Sequence, residues 1–225
     1  ANTWGSGGAG DGSRAAAEQA NVLRELDSAA DLGIEIVQID DGWQAPPDDP
    51  QPTVADRDWR PHPARWPDGW SAVREAAARL GVDLGLWFPW YVEPEKIAWN
   101  LERGGFRRIK LDFMHLRTRA EVERIGAASR ALAERFGPQL GVNWDATEVS
   151  ARMGYFFGRE HGNVYLENRP AGPPPHARLA HVAYTPRLVL RDAWHLAHYV
   201  NLNQIQLSVQ NLDRVPAQLS NAGEY

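Results

Sequence analysis

Acidic residues close four apolar runs of this chain. Ile39 runs into Asp40 and Asp41, Leu111 into Asp112, Trp144 into Asp145 and Leu166 into Glu167. One acid at the end of a run is often a helix cap, accepting from the first amides of the helix that follows. Four such ends are harder to explain by capping. If the runs are parallel strands of one barrel, their C-terminal acids converge, and repulsion makes that costly unless the acids work together. Glycoside hydrolysis needs this layout: one ionised carboxylate, one protonated carboxyl, and further acids to bind hydroxyls. A ring of acids can also hold a metal. The chain has seven histidines but no HxH or HExxH pair, and His195 and His198, three apart on an expected helix, read as surface or packing residues. The expectation is therefore no metal and no cofactor. Without cysteine or a GxSxG turn, thiolate and serine-triad chemistry have no support.

The elements that would position these acids alternate. Short β-rich runs, Ile34–Ile39, Val82–Phe88, Arg108–Leu111, Leu140–Trp144, Val164–Leu166 and Ile205–Val209, read as strands, and Asn2–Trp4 as the stub of an earlier one. Between them, Ser13–Leu32 and Ser71–Leu80 read as helices closed by Gly33 and Gly81. Thr118-Arg-Ala-Glu121 has capping-box spacing for a helix to Phe136, and Thr185-Pro186 opens another to about Tyr199. The segments Leu32-Gly-Ile-Glu-Ile36 and Leu80-Gly-Val-Asp-Leu84 repeat one helix-to-strand hinge, as a parallel sheet requires. No glycine-rich phosphate loop follows a strand, which weighs against a nucleotide-binding sheet. The order favours an α/β fold, a (β/α)8 TIM-type barrel or a doubly wound sheet, with 44–70 and 168–184 as long loops on its active face. If Asp40 and Asp41 both lie in extended strand they face opposite sides, and only one reaches a ligand.

Composition bounds the partners. With 225 residues the chain is long enough for one large core, and residues 1–225 read as a single barrel domain. A net charge of −5 argues against nucleic acid, and no run of ~18 apolar residues suggests a membrane span. Ten tryptophans suit stacking on pyranose rings, although more than half are expected in or just behind the core. The expected compartment is the cytoplasm, and the oligomeric state is not legible. Both ends read as cuts within a longer protein. Residues 212–225 are too polar and proline-interrupted for an eighth strand, so the barrel is expected to be incomplete.

The segments Asn2-Thr-Trp-Gly5, Leu32–Gln44 (LGIEIVQIDDGWQ), Leu84–Phe88 (LGLWF), Ile109-Lys-Leu-Asp112, Asn143-Trp-Asp145, Asn163–Arg169 (NVYLENR) and Leu190–Tyr199, in this order, resemble the barrel of glycoside hydrolase family 36 and its relatives in family 27. The resemblance implies a retaining α-glycosidase of the α-galactosidase type that acts on glycosides or oligosaccharides by double displacement. It implies Asp112 as nucleophile. It also implies Lys110, Asp40, Asp41, Asp145 and Arg169 as sugar-binding residues, and Trp43 and Trp87 as pocket walls. Glu167 stands by position where the acid/base is expected, with Asp145 as its rival. The third strand departs from the familiar pattern, ending Phe88-Pro89-Trp90. A non-catalytic sugar-binding relative, or an inactive fragment, is the alternative.

The two acid/base candidates separate by chemical rescue. On a substrate with a good leaving group, azide is expected to restore turnover to Glu167→Ala; restoration of Asp145→Ala instead reverses the assignment.

Overall fold

The computed structural model describes residues 1–4, 11–114, 116–145, 157, 162–165, 193–195 and 197–206. They fall into two compact units. The first comprises Ala1–Asp112 and Leu116–Val142, and the second takes the remaining described residues. The first unit holds helices α1 (Asp11–Ala16), α2 (Gln19–Leu32), α3 (Ser71–Leu80), α4 (Pro94–Gly104) and α5 (Arg119–Phe136), with strands β1 (Ile36–Ile39), β2 (Asp83–Pro89) and β3 (Arg108–Asp112). Strand β4 (Gly141–Asp145) begins in the first unit and ends in the second, which also holds β5 (Asn163–Tyr165) and β6 (Ile205–Gln206).

Pairing is parallel and follows chain order in each unit, β1–β2–β3 in the first and β4–β5–β6 in the second. The expected stub at Asn2–Trp4 is reduced to one parallel bridge from Asn2 to Gln38. Among the described residues this makes six strands and a bridge at the positions expected; residues 168–184 and 212–225 lie outside that set.

Register sorts the side chains of the first unit into two faces. Ile39, Leu86 and Ile109 are partners, as are Phe88 and Leu111, and all are buried. This apolar face suits the cover of α2 and α3, which pack on β1 and β2. Each large side chain so buried contributes about 1.5–3 kcal/mol. The opposite face carries Gln38, Gly85 and Arg108 in one layer, then Trp87 with Lys110, then Asp112. Glycine alternates with long residues there: a β-carbon on Gly85 would collide with Gln38 Oε1, and one on Gly141 would lie 2.5 Å from Arg108 Cδ.

The local signals explain most helix ends. Gly33 and Gly81 adopt left-handed conformations, with φ of 70° and 69°. Thr118 and Glu121 form the reciprocal capping box that their spacing implies. One expectation fails. The helix read over Ser13–Leu32 is broken after Ala16, because Glu18 is extended and the Gln19 amide donates to Arg65 O at 3.0 Å instead of continuing the helix. The Gln19 side chain ties the same point to Asp68 through two hydrogen bonds. Helix α4 was not foreseen, although Pro94 near its start, left-handed Gly105 after its end and the buried stripe Ile97, Ala98, Leu101, Gly104 mark it. Of the helix expected after Thr185-Pro186, only 193–195 and 197–199 are described, the first helical and the second a turn. As expected, 44–70 contains no helix or strand.

Gly104 gives a test of this packing. A β-carbon there would run into the ring of buried Phe106, which sits edge-on to Trp70 at 5.0 Å. Gly104→Ala is expected to destabilise the chain by about 1–3 kcal/mol in urea unfolding. That is the reverse of the ~1 kcal/mol gain expected from helix propensity alone.

Candidate active site

Strand β1 ends at Ile39, so Asp40 and Asp41 lie in the turn that follows and point to different partners. The Asp40 carboxylate is buried. Its Oδ2 accepts from Asn2 Nδ2 at 3.1 Å and lies 3.3 Å from Lys110 Nζ, while its Oδ1 accepts from the Asp41 amide at 2.9 Å. Its own amide donates to Thr3 Oγ1 at 2.9 Å. Asp41 instead pairs with Arg14 of α1, whose Nε is 2.7 Å from Oδ2, and its Oδ1 accepts from Gln44 Nε2 at 2.7 Å.

Gly42 closes this turn with φ 122°, and a β-carbon there would strike the backbone of Arg14. The glycine therefore allows α1 to approach the turn and bring Arg14 to Asp41. Arg65 secures the approach by donating to Arg14 O and Ala45 O, both at 3.0 Å.

Asp112 closes β3, with Lys110 two residues earlier on the same face. Its Oδ2 accepts from Trp87 Nε1 at 2.7 Å and lies 3.7 Å from Lys110 Nζ. One ammonium thus stands between two carboxylates. Asp112 is the more open of the two, with its side chain 14% exposed against 3% for Asp40. Burial pushes the Asp40 pKa above the ordinary carboxylate value; the Asp112 charge adds to that, while Lys110, the Asp41 amide and Asn2 oppose it.

Six of the ten tryptophans are buried, as the expectation of mostly core tryptophan required. Trp43, expected to wall a pocket, is fully enclosed, with its ring against Trp59, Trp70 and Phe88 and its Nε1 donating to Trp87 O at 3.1 Å. It supports the strand that carries Trp87. Trp59 is also fully buried, in a left-handed conformation (φ 54°) that costs a bulky residue on the order of 1–3 kcal/mol. Phe113, immediately after Asp112, has φ 57°.

Asp145 ends β4, buried, in the second unit, where the neighbouring Trp144 stacks on Phe157 at 4.9 Å. Glu167 and Arg169 lie outside the described residues. His195 and His198 are exposed. No group of three or more potential metal-binding acids or histidines occurs among the described residues. Sequence reasoning missed Arg14, Gln44 and the bond from Asn2 to Asp40. Arg14 carries no motif of its own, and its role appears only once Gly42 lets α1 close in.

Part of this chain is similar to known proteins. A family model described as Melibiase matches residues 16–104, a segment that holds Asp40, Asp41, Trp43 and Trp87 and stops short of Lys110 and Asp112. The α-galactosidase AgaA of Geobacillus stearothermophilus is 37% identical over 82 residues, 36% of this chain and 10% of that protein. An α-galactosidase of Lactobacillus acidophilus is 32% identical over 75 residues, 33% of this chain and 9% of that protein. The chain thus matches about a tenth of the length of these curated relatives. Among solved structures, the galactosidase domain of the α-galactosidase-sucrose kinase AgaSK superposes with a TM-score of 0.54 at 13% identity, over 83% of this chain and 30% of that one. A substituted form of AgaA in complex with raffinose gives 0.52 at 14% identity, over 88% and 34%. These two likenesses are of fold. Together with the sequence matches they identify a domain like that of the family 36 α-galactosidases.

The raised pKa of Asp40 has a consequence for stability. Its folded state holds a proton to higher pH than its unfolded state, so stability is lost as pH rises above the ordinary value of 3.8 and through the raised one. Asp40→Asn, which mimics the protonated form, is expected to raise Tm at pH 7. The gain should disappear below pH 3.8. Melting curves across pH check this, and a gain that grows on acidification contradicts it.

Proposed function

We propose that this α-galactosidase-like domain hydrolyses α-glycosidic bonds by double displacement, with Asp112 as nucleophile and Glu167 as acid/base. The observation that carries the reading is the Asp112 carboxylate at the end of β3, with one oxygen held by Trp87 Nε1 and close to Lys110 Nζ. A carboxylate so oriented is suited to attack an anomeric carbon. In the first step, Asp112 forms a bond to that carbon as the glycosidic C–O bond breaks, and Glu167 gives its proton to the leaving oxygen. In the second, water attacks the same carbon, its proton returns to Glu167, and the carboxylate of Asp112 leaves.

Lys110 and Asp40 form a donor–acceptor pair beside the nucleophile, suited to binding neighbouring sugar hydroxyls. Asp41, held by Arg14 and Gln44, offers a further acceptor, and Asp145 and Arg169 are assigned to the same task. A glycoside or oligosaccharide is the proposed substrate. The raffinose complex of AgaA and the names of the curated relatives support an α-galactoside within that class. The segment Phe88-Pro89-Trp90 sets an aromatic side chain just past the end of β2, where it can narrow the choice of sugar.

Turnover of a panel of aryl α- and β-glycosides tests the reaction, with α-galactosides expected to react. Asp112→Asn is nearly isosteric and is expected to lower kcat by ~10³-fold or more in a chain that still folds. A variant that keeps more than about a tenth of the activity removes Asp112 from the role.

A further inference from the structure

Trp59 breaks two local rules at once. It is a bulky residue in the left-handed region, and its indole Nε1 is buried with no hydrogen-bond partner among the described residues. The ring is therefore held by packing and by its backbone. The backbone restraint is visible: Asn100 of α4, fully buried, donates from Nδ2 to Trp59 O at 2.7 Å. The same amide group donates to Lys96 O at 2.8 Å and accepts from Trp70 Nε1 at 2.9 Å, so Asn100 is fixed on both sides. The Trp59 ring in turn lies against Trp87 with centroids 6.3 Å apart, and Trp87 Nε1 holds Asp112 Oδ2.

From this chain of contacts we infer that Trp59 and Asn100 are positioning residues for the proposed nucleophile. Asn100 clamps Trp59 in its left-handed conformation, Trp59 braces the Trp87 ring, and Trp87 directs the Asp112 carboxylate. The inference rests on the glycosidase reading for its catalytic meaning, but its physical content is the orientation of one indole N–H. Backbone outliers that persist in a packed region are commonly retained because they orient a site. Here the outlier braces an indole that donates directly to the carboxylate at the centre of that site. A displacement of about 1 Å at a reacting group can cost on the order of 10²-fold in rate, so a brace this close matters to turnover.

Two measurements on the full chain test it. In the first, tryptophan is labelled with 15N and solvent exchange of each indole proton is followed, the Trp87 signal being assigned with Trp87→Phe. Trp59→Phe is expected to speed exchange at Trp87 by about tenfold or more while Trp144, buried in the second unit, keeps its rate. If Trp59→Phe does not fold, Asn100→Ala, which removes no aromatic side chain but releases the Trp59 backbone, should give the same selective acceleration. An unchanged Trp87, or equal acceleration at Trp144, overturns the inference. In the second, kcat on a reactive aryl glycoside is expected to fall about 10- to 100-fold in Trp59→Phe, with KM within about threefold. In a Trp87→Phe background the same substitution should cost less than about twofold. Equal losses in both backgrounds show that Trp59 does not act through Trp87 and overturn the inference. A wild-type chain without turnover rejects the glycosidase reading, and the exchange measurement then decides the positioning role on its own.

Discussion

Lys110 is the charge on which the site depends. Asp40 and Asp112 are brought close to one ammonium by strands whose register is dictated by a buried apolar face, and Asp40 is enclosed. The ammonium at 3.3 Å from one and 3.7 Å from the other makes their proximity tolerable. At such distances each attraction is of order 5 kcal/mol for an effective dielectric near 20, against a comparable desolvation cost. The arrangement is compact because strand geometry does the alignment. Lys110 and Asp112 are two residues apart on β3, and Trp87 faces Lys110 in register across β2. A slip of one residue would turn Lys110 and Asp112 towards the helices and Leu111 into the site.

The two adjacent aspartates show how a short turn divides labour. Because β1 stops at Ile39, Asp40 is drawn into the lysine cluster while Asp41 is held by Arg14 and Gln44. The long loop behind them is fastened down by hydrogen bonds from Tyr91 to Thr53 O and from Lys96 to Arg57 O at 2.5 Å each. Its buried Trp59 and Trp66 make it part of the core, although it contains no helix or strand. In this region the core and the site are the same structure, since Trp43 supports the backbone of Trp87 and Trp87 holds Asp112.

The strands, and the acids that close β1, β3 and β4, were legible because they follow short rules: period-two alternation, glycine at the hinge, acid after the apolar run. Capping at Thr118 and the stops at Gly33 and Gly81 were legible for the same reason, since each is decided within a few residues. What stayed hidden was decided by distant partners. The Arg65 carbonyl breaks the helix at Ala17-Glu18, and no local propensity announces that bond. Arg14 reaches Asp41 from 27 residues away. The core position of Trp43 was obscured because an aromatic residue beside DDG reads equally as a pocket wall or as packing. Helix α4 is the exception: Pro94, Gly105 and its apolar stripe were all available in the sequence.

The alternation of Gln38, Gly85, Arg108 and Gly141 bears on how such a sheet can change over evolutionary time. Each glycine is small because a long neighbour already fills its space, so volume belongs to the pair and not to either position. A side chain gained on one strand must be matched by one lost on the next. Drift in this layer should therefore proceed by compensated exchanges across strands, leaving a record of correlated size changes directly beneath the residues that hold the carboxylate.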